Sequence, residues 1–270
     1  MAFPPNPLPE AAPELLSPTV APETRPENPP WNVWDVLLAF ALLFACTLVF
    51  VVINVWFLRR GGLLRHVAPA DMVKDPLLIL PAELLAYMVM LIFVYLTAMR
   101  AGSRSFWDAL RWNWPRRVWA TYPALGVLLA VSVQVFSKFV PIPKSLPMDE
   151  YFRSPMDAYT MGLFAVLVAP FMEELLFRGL LYPVIARAAG VGFGIVVTGL
   201  LFAVMHASQL GWSWGPVLIL FAVGAALTTI RAVTKSVASS MLTHMGYNLT
   251  LFSVFFVGTG HFQHMERLSR

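Results

Sequence analysis

The sequence predicts an all-α protein, a polytopic transmembrane helical bundle of about seven spans. Three observations carry this. Of 270 residues, 58% are hydrophobic and only 13% are charged, more apolar side chain than a water-soluble domain of this length can hide. Several apolar runs approach or exceed the roughly 20 residues needed to cross a bilayer. The basic residues gather at the ends of those runs, where they meet lipid head groups. The net charge of +4 is modest, and no basic patch with interleaved aromatics suggests nucleic acid. The single cysteine, Cys46, lies in an apolar run, so no intrachain disulfide forms and no thiol chemistry is indicated. No Cys/His cluster has zinc-finger spacing.

The N-terminal pattern is not that of a cleavable signal peptide. Residues 1–30 hold ten of the 22 prolines, with Glu10, Glu14, Glu23, Glu27 and Arg25. That composition predicts a disordered, partly polyproline tail.

Residues 31–157 read as an N-terminal transmembrane region of three spans. The first covers about residues 34–58, with Trp31 and Trp34 at one interface and Arg59 and Arg60 stopping the run at the other. Asp35 is expected at the interface. A polar connection follows, with Arg65, Asp71, Lys74 and Asp75. The second span, about 76–99, carries Glu83 two residues after Pro81. Glu83 reads first as a carboxylate near the interface or bonded to a neighbour, and second as part of a site. Residues 100–117 are basic and tryptophan-rich, with Trp107, Trp112 and Trp114, and Ser105 is expected to N-cap a short interfacial helix. The third span is about 118–140. Pro141, Pro143 and Pro147 then break helix formation, and 141–157 form a polar connection.

Residues 158–258 hold the remaining spans. The fourth runs from about 158 through Glu173, Glu174 and Arg178 to about 187. It is longer than a bilayer requires, so its second half is expected in a wet cavity or protein interior. The fifth, 190–207, ends on His206, and Gly190 and Gly194 have the spacing of a close helix approach. Trp212 and Trp214 mark an interface before the sixth span, about 214–230. A polar link, 231–236, leads to the seventh, about 237–258, and 259–270 is a solvated tail. Alternating spans put nine bases on each side of the membrane (Arg178 is internal), so the charge count assigns no orientation.

Charge inside a membrane is expensive unless paired or used, and three polar sets stand out. The first is Glu173-Glu174-x-x-x-Arg178. Glu174 and Arg178 are four apart, share a helix face and form a natural ion pair. Glu173 is rotated by about 100° from Glu174. It is the less neutralised carboxylate and the better base. The second set is Phe202-x-x-x-His206 and the third is His244-x-x-x-Asn248, again four apart. A water held between Glu173 and His206 is placed to lose a proton and attack an amide carbonyl. His244 and Asn248 are placed to donate to the resulting oxyanion.

These motifs resemble the CPBP family of intramembrane endopeptidases, which includes the type II CAAX prenyl proteases, bacteriocin self-immunity and processing proteins, and proteins like lysostaphin resistance protein A. The family's EExxxR motif is matched by Glu173, Glu174 and Arg178 within APFMEELLFRG, its FxxxH by Phe202 and His206, and its HxxxN by His244 and Asn248. RAVTKSVASSMLTH resembles the family's approach to the last motif. The similarity covers about residues 160–257. It implies an intramembrane peptidase with Glu173, His206, His244 and Asn248 as catalytic residues, supported by Glu174, Arg178 and Phe202. It also implies a cavity reached by a peptide or lipid-modified peptide end.

Glutamate-activated water without a metal is the expected chemistry, with zinc the alternative: Glu173 and two histidines are possible ligands, but there is no HExxH helix, and Arg178 adds positive charge nearby. No other cofactor is expected. The expected partners are the peptide substrate and the bilayer, and the expected location is the plasma membrane. A non-catalytic scaffold or immunity protein of the same fold is the alternative reading. A proton-coupled transporter is a third, unsupported by any broken-helix pair or inverted repeat.

Overall fold

The computed structural model describes residues 28–62, 72, 75–100 and 105–263. The proline-rich tail up to residue 27, most of the connection after Arg60, residues 101–104 and the tail from 264 lie outside the described residues. Among the described residues the architecture is helical throughout. The long helices are α1 (Val33–Arg60), α2 (Pro76–Arg100), α3 (Thr121–Phe136), α4 (Pro155–Ala189), α5 (Val191–Met205), α6 (Trp214–Thr234) and α7 (Val237–Gly258). A single turn, Phe106–Ala109, lies between α2 and α3.

Five of these segments are long and apolar enough to cross a membrane: Val33–Arg60, Leu78–Arg100, Thr121–Phe139, Pro155–Ala189 and Trp214–Thr234. The other two depart for separate reasons. α5 is apolar but only 15 residues long. α7 has 22 residues, but Ser239, Ser240, Thr243, His244 and Asn248 lower its hydropathy. The chain is an integral membrane bundle of about seven spans, and lipid is the natural solvent of its outer face. Phe44, Leu48, Met88, Leu96 and Leu128 are each more than half exposed there, and such apolar surface does not persist in water.

A continuous apolar core runs from α1 to α5 through Ala39, Met90, Leu176, Phe177 and Phe202. α1 begins with Asn32 and Asp35 in a reciprocal capping box. Asp35 is nearly buried, and it pairs with Arg100 at the end of α2, 2.9 Å away. Trp31 departs from expectation. It is 2% exposed, and its indole donates to the carbonyl of Leu180 at 2.9 Å, so it fastens α1 to α4. Trp34, by contrast, is 73% exposed. The last residues of the predicted tail are tied down as well, because Arg187 donates to the carbonyl of Pro29 at 3.1 Å.

α3 starts later than expected, at Thr121. Pro123 falls in its first turn, where a missing N–H costs nothing. Ser105 stands at the N-cap position, but its side chain makes no capping bond. α3 lies hard against α7: a Cβ on Gly246 would come within 2.4 Å of the Pro123 carbonyl oxygen. Gly190 and Gly194 do not act as a pair. Gly190 makes the α4–α5 turn at φ +88°, a conformation that suits glycine. Gly194 packs against Tyr182 and Ala186 of α4. A second close crossing lies between Gly199 on α5 and Gly224 on α6.

The α6–α7 link is covered by the segment before α3. Lys235 is left-handed at φ 55°, and its carbonyl accepts from Asn113 at 3.0 Å. Ser236 caps α7 by accepting from Ser239 N–H at 3.1 Å, and its hydroxyl donates to the Asn113 carbonyl. This fixes where α7 begins, and so how deep His244 and Asn248 lie.

Candidate functional site

α4 carries the acidic pair on a backbone that is loosely wound on both sides of it. One π-helical turn, Phe164–Val168, precedes Glu173, and another, Leu175–Leu181, follows Glu174. Such turns occur frequently at functional sites. In the first, the N–H of Ala169 bonds the carbonyl of Phe164. The same register sets Pro170 opposite Ala165, and proline has no N–H. The Ala165 carbonyl instead accepts Asn248 Nδ2 at 2.7 Å, joining α4 to α7.

Glu174 and Arg178 have no solvent-exposed side-chain surface and pair at 2.8 Å, as their spacing predicts. Taking two ions out of water costs several kcal/mol for each (about that order), so their remaining polar atoms must find partners. Arg178 Nη2 donates to the carbonyl of Gly224 at 2.8 Å and Nε to Thr228 at 3.2 Å. The guanidinium also lies 4.7 Å from the Phe202 ring centre, a cation–π contact. Glu174 accepts from the hydroxyl of Ser240 at 2.5 Å and from His244 Nδ1 at 3.0 Å. The Gly224 carbonyl is within reach because α5 and α6 cross there. A Cβ on Gly199 would stand only 2.8 Å from the nitrogen of Ala225.

Glu173 faces away from this brace. Its Oε1 is 3.5 Å from His206 Nε2, and its Oε2 is 3.7 Å from His244 Nε2. The tautomers are assigned from the partners of the other nitrogens. His206 Nδ1 sits 2.8 Å from the Phe202 carbonyl, which only accepts, so Nδ1 carries a proton. His244 Nδ1 faces a carboxylate already paired with Arg178, and the same reasoning holds. In their neutral forms both rings present an Nε2 lone pair to the carboxylate of Glu173. Three acceptors converge, and protons between them, from a water or an imidazolium, are what such an arrangement accommodates. Exposure separates the two acids: the Glu173 side chain is 13% exposed and that of His206 19%, against 0% for Glu174.

Six of the seven motif residues therefore meet in one place, and the seventh, Asn248, is joined to the same helix at Ala165. Phe202 packs against both imidazoles, its ring centre 4.7 Å from His206 and 5.8 Å from His244. Ser240, Thr228 and the carbonyls of Gly224 and Ala165 complete the site without having been singled out. Ser240 had a signal: it is one helical turn before His244, on the face that His244 and Asn248 share. Thr228 and the carbonyls had none, because their roles depend on which helices touch. Glu83 has the expected neighbour bond, accepting from Tyr87 at 2.8 Å. It also stands within electrostatic reach of Glu173 and His206. Among the described residues, no group of three or more His, Cys, Asp or Glu is arranged to hold a metal ion.

Residues 155–250 match the family described as type II CAAX prenyl endopeptidase Rce1-like. The match spans α4, α5, α6 and the part of α7 that carries His244 and Asn248, and so includes every motif residue. It supports the CPBP assignment suggested by the motifs. Searches of curated proteins and of solved structures return no match.

Proposed function

We propose that the Rce1-like domain of this chain makes it an intramembrane endopeptidase, in which Glu173 and His206 activate a water for attack on a peptide carbonyl. The observation that carries this is the division of labour in the acidic pair: Glu174 is buried and braced by Arg178, while Glu173 is accessible and faces two imidazoles.

A water between Glu173 Oε1 and His206 Nε2 gives its proton to Glu173 as its oxygen bonds the carbonyl carbon. The carbonyl oxygen takes on negative charge. Asn248 has two N–H groups on Nδ2; one is committed to Ala165, and the other serves the oxyanion. His244 Nδ1 is committed to Glu174, so the ring donates through Nε2 only as an imidazolium. Cleavage of the C–N bond returns the proton from Glu173 to the departing amine. Arg178 stays bound in the brace and holds Glu174, and through it the tilt of the His244 ring.

The reaction is read as metal-independent, since Glu173 and the imidazoles suffice for proton transfer and Arg178 already places a positive charge beside them. The substrate is a membrane-anchored peptide, of CAAX or leader-peptide type, and the location is the plasma membrane.

The test is cleavage of membrane-anchored peptides by purified protein in proteoliposomes. Glu173→Gln is expected to lower kcat by about 10²-fold or more while the protein stays folded. Full activity in that variant would overturn the reading. Cleavage that required stoichiometric zinc, and stopped on chelation, would overturn its metal-free form alone.

A further inference from the structure

One acid near the site has no part in this mechanism. Glu83 lies in the apolar helix α2, partly buried, in a stretch flanked by Leu80 and Tyr87. An ionisable group at such a position is retained at a cost and usually has a partner. Among the described residues its hydrogen-bond partner is the hydroxyl of Tyr87, 2.8 Å from Oε1, and no Lys or Arg pairs with it. Tyr87 is 7% exposed and stacks on Phe164, with the rings 7° from parallel and 6.2 Å apart. Phe164 opens the π-helical turn whose Ala165 carbonyl holds Asn248. The Tyr87–Glu83 pair is thus fastened to the same piece of α4 as the site. Oε2 of Glu83 is left for something else.

The charge balance says what. Around the site stand Glu83 on α2, Glu173 and Glu174 on α4, His206 after α5 and His244 on α7, and Arg178 is the fixed cation of the group. Three carboxylates face one permanent positive charge, which Glu174 already takes up. A site with that balance, shielded from water, attracts cations and disfavours further anions.

We infer that Glu83, positioned by Tyr87, is a specificity determinant that receives a cationic group of the substrate, a lysine or arginine side chain or a free α-amine close to the scissile bond. The inference rests on the peptidase reading. It goes beyond that reading by naming the chemistry of one substrate position, and by adding α2 to a site that the motifs place only on α4 to α7.

The experiment pairs binding with turnover in proteoliposomes. Fluorescent membrane-anchored peptides that differ by Lys or Gln at single positions around the cleavage site are titrated onto Glu173→Gln protein, with and without Glu83→Gln. The same peptides are assayed for cleavage by wild type, Glu83→Gln and Tyr87→Phe. With Glu83 present, a lysine at one position is expected to tighten binding about tenfold or more. Glu83→Gln should bring the Lys/Gln ratio close to one. In turnover the preference should appear in KM, and Tyr87→Phe, which leaves the carboxylate but removes its holder, should lose part of it. Melting curves of each variant report folding separately. Equal binding of Lys and Gln peptides, or a preference that survives Glu83→Gln, overturns the inference. Selective binding without cleavage of any peptide by wild type would instead overturn the peptidase reading and leave a cation-selective peptide site.

Discussion

The imidazole of His244 touches both acids of the pair, Nδ1 on Glu174 at 3.0 Å and Nε2 on Glu173 at 3.7 Å. Adjacent residues on one helix thereby serve one ring from two sides, one as its orienter and one as its proton partner. Their substitutions should fail differently. Glu174→Ala leaves Arg178 buried without its counter-ion and is expected to cost about 3–5 kcal/mol of stability, read as a large drop in melting temperature in detergent. Glu173→Gln should melt within a few degrees of wild type and lose turnover. Similar destabilisation in both would show that the acids are only structural. The ion pair was legible from its i, i+4 spacing. The partners that make its burial tolerable lie on other helices: the Ser240 hydroxyl, which donates to Glu174 and is marked only by its spacing from His244, and the Thr228 hydroxyl, which accepts from Arg178 and has no mark in the sequence.

At the scale of elements, α4 departs most from a regular helix, and Pro170 is the residue to alter. With an N–H at position 170, the Ala165 carbonyl has a donor in its own helix. Pro170→Ala is therefore expected to loosen Asn248 and lower kcat by up to about 10²-fold, the order a misplaced group costs, with little change in melting temperature. An unchanged kcat would show that the π-helical turn does not set the position of Asn248. The crossing of α5 and α6 gives a second case. Gly199→Val must displace Ala225, and overpacking of this kind costs about 1–3 kcal/mol. Because the crossing also presents the Gly224 carbonyl to Arg178, this variant should lose stability and turnover together. Apolar run length placed the spans to within a few residues. It gave no sign of the π-helical turns, since a locally altered hydrogen-bond register leaves the apolar pattern almost unchanged.

For the whole molecule, the α1–α2 hairpin is more than a membrane anchor. Trp31, just before α1, and Phe40 within it reach Leu180 and Phe177 of α4, and Tyr87 of α2 stacks on Phe164 of α4. Trp31→Ala is expected to cost about 3–5 kcal/mol, the usual range for deleting a buried aromatic ring, and to be measurable as earlier unfolding in a denaturant titration. A change near zero would mean that α1 docks independently of this indole. By itself, the sequence determined the class of molecule, the approximate spans, the braced and the unbraced acid, and the motifs later matched at residues 155–250. Each follows from local quantities: the length of an apolar run, the cost of charge in it, and a four-residue helical repeat. Only the tertiary structure decided that the three motifs converge, that Trp31 is a core residue rather than an interfacial one, and that Tyr87, the partner of Glu83, packs on the stretch of α4 that leads to Glu173. Those outcomes depend on crossings between helices distant in the chain, such as Gly246 of α7 against Pro123 of α3, and on side chains like Tyr87 and Phe164 that meet between helices. No periodicity within a single helix encodes which helix it will touch.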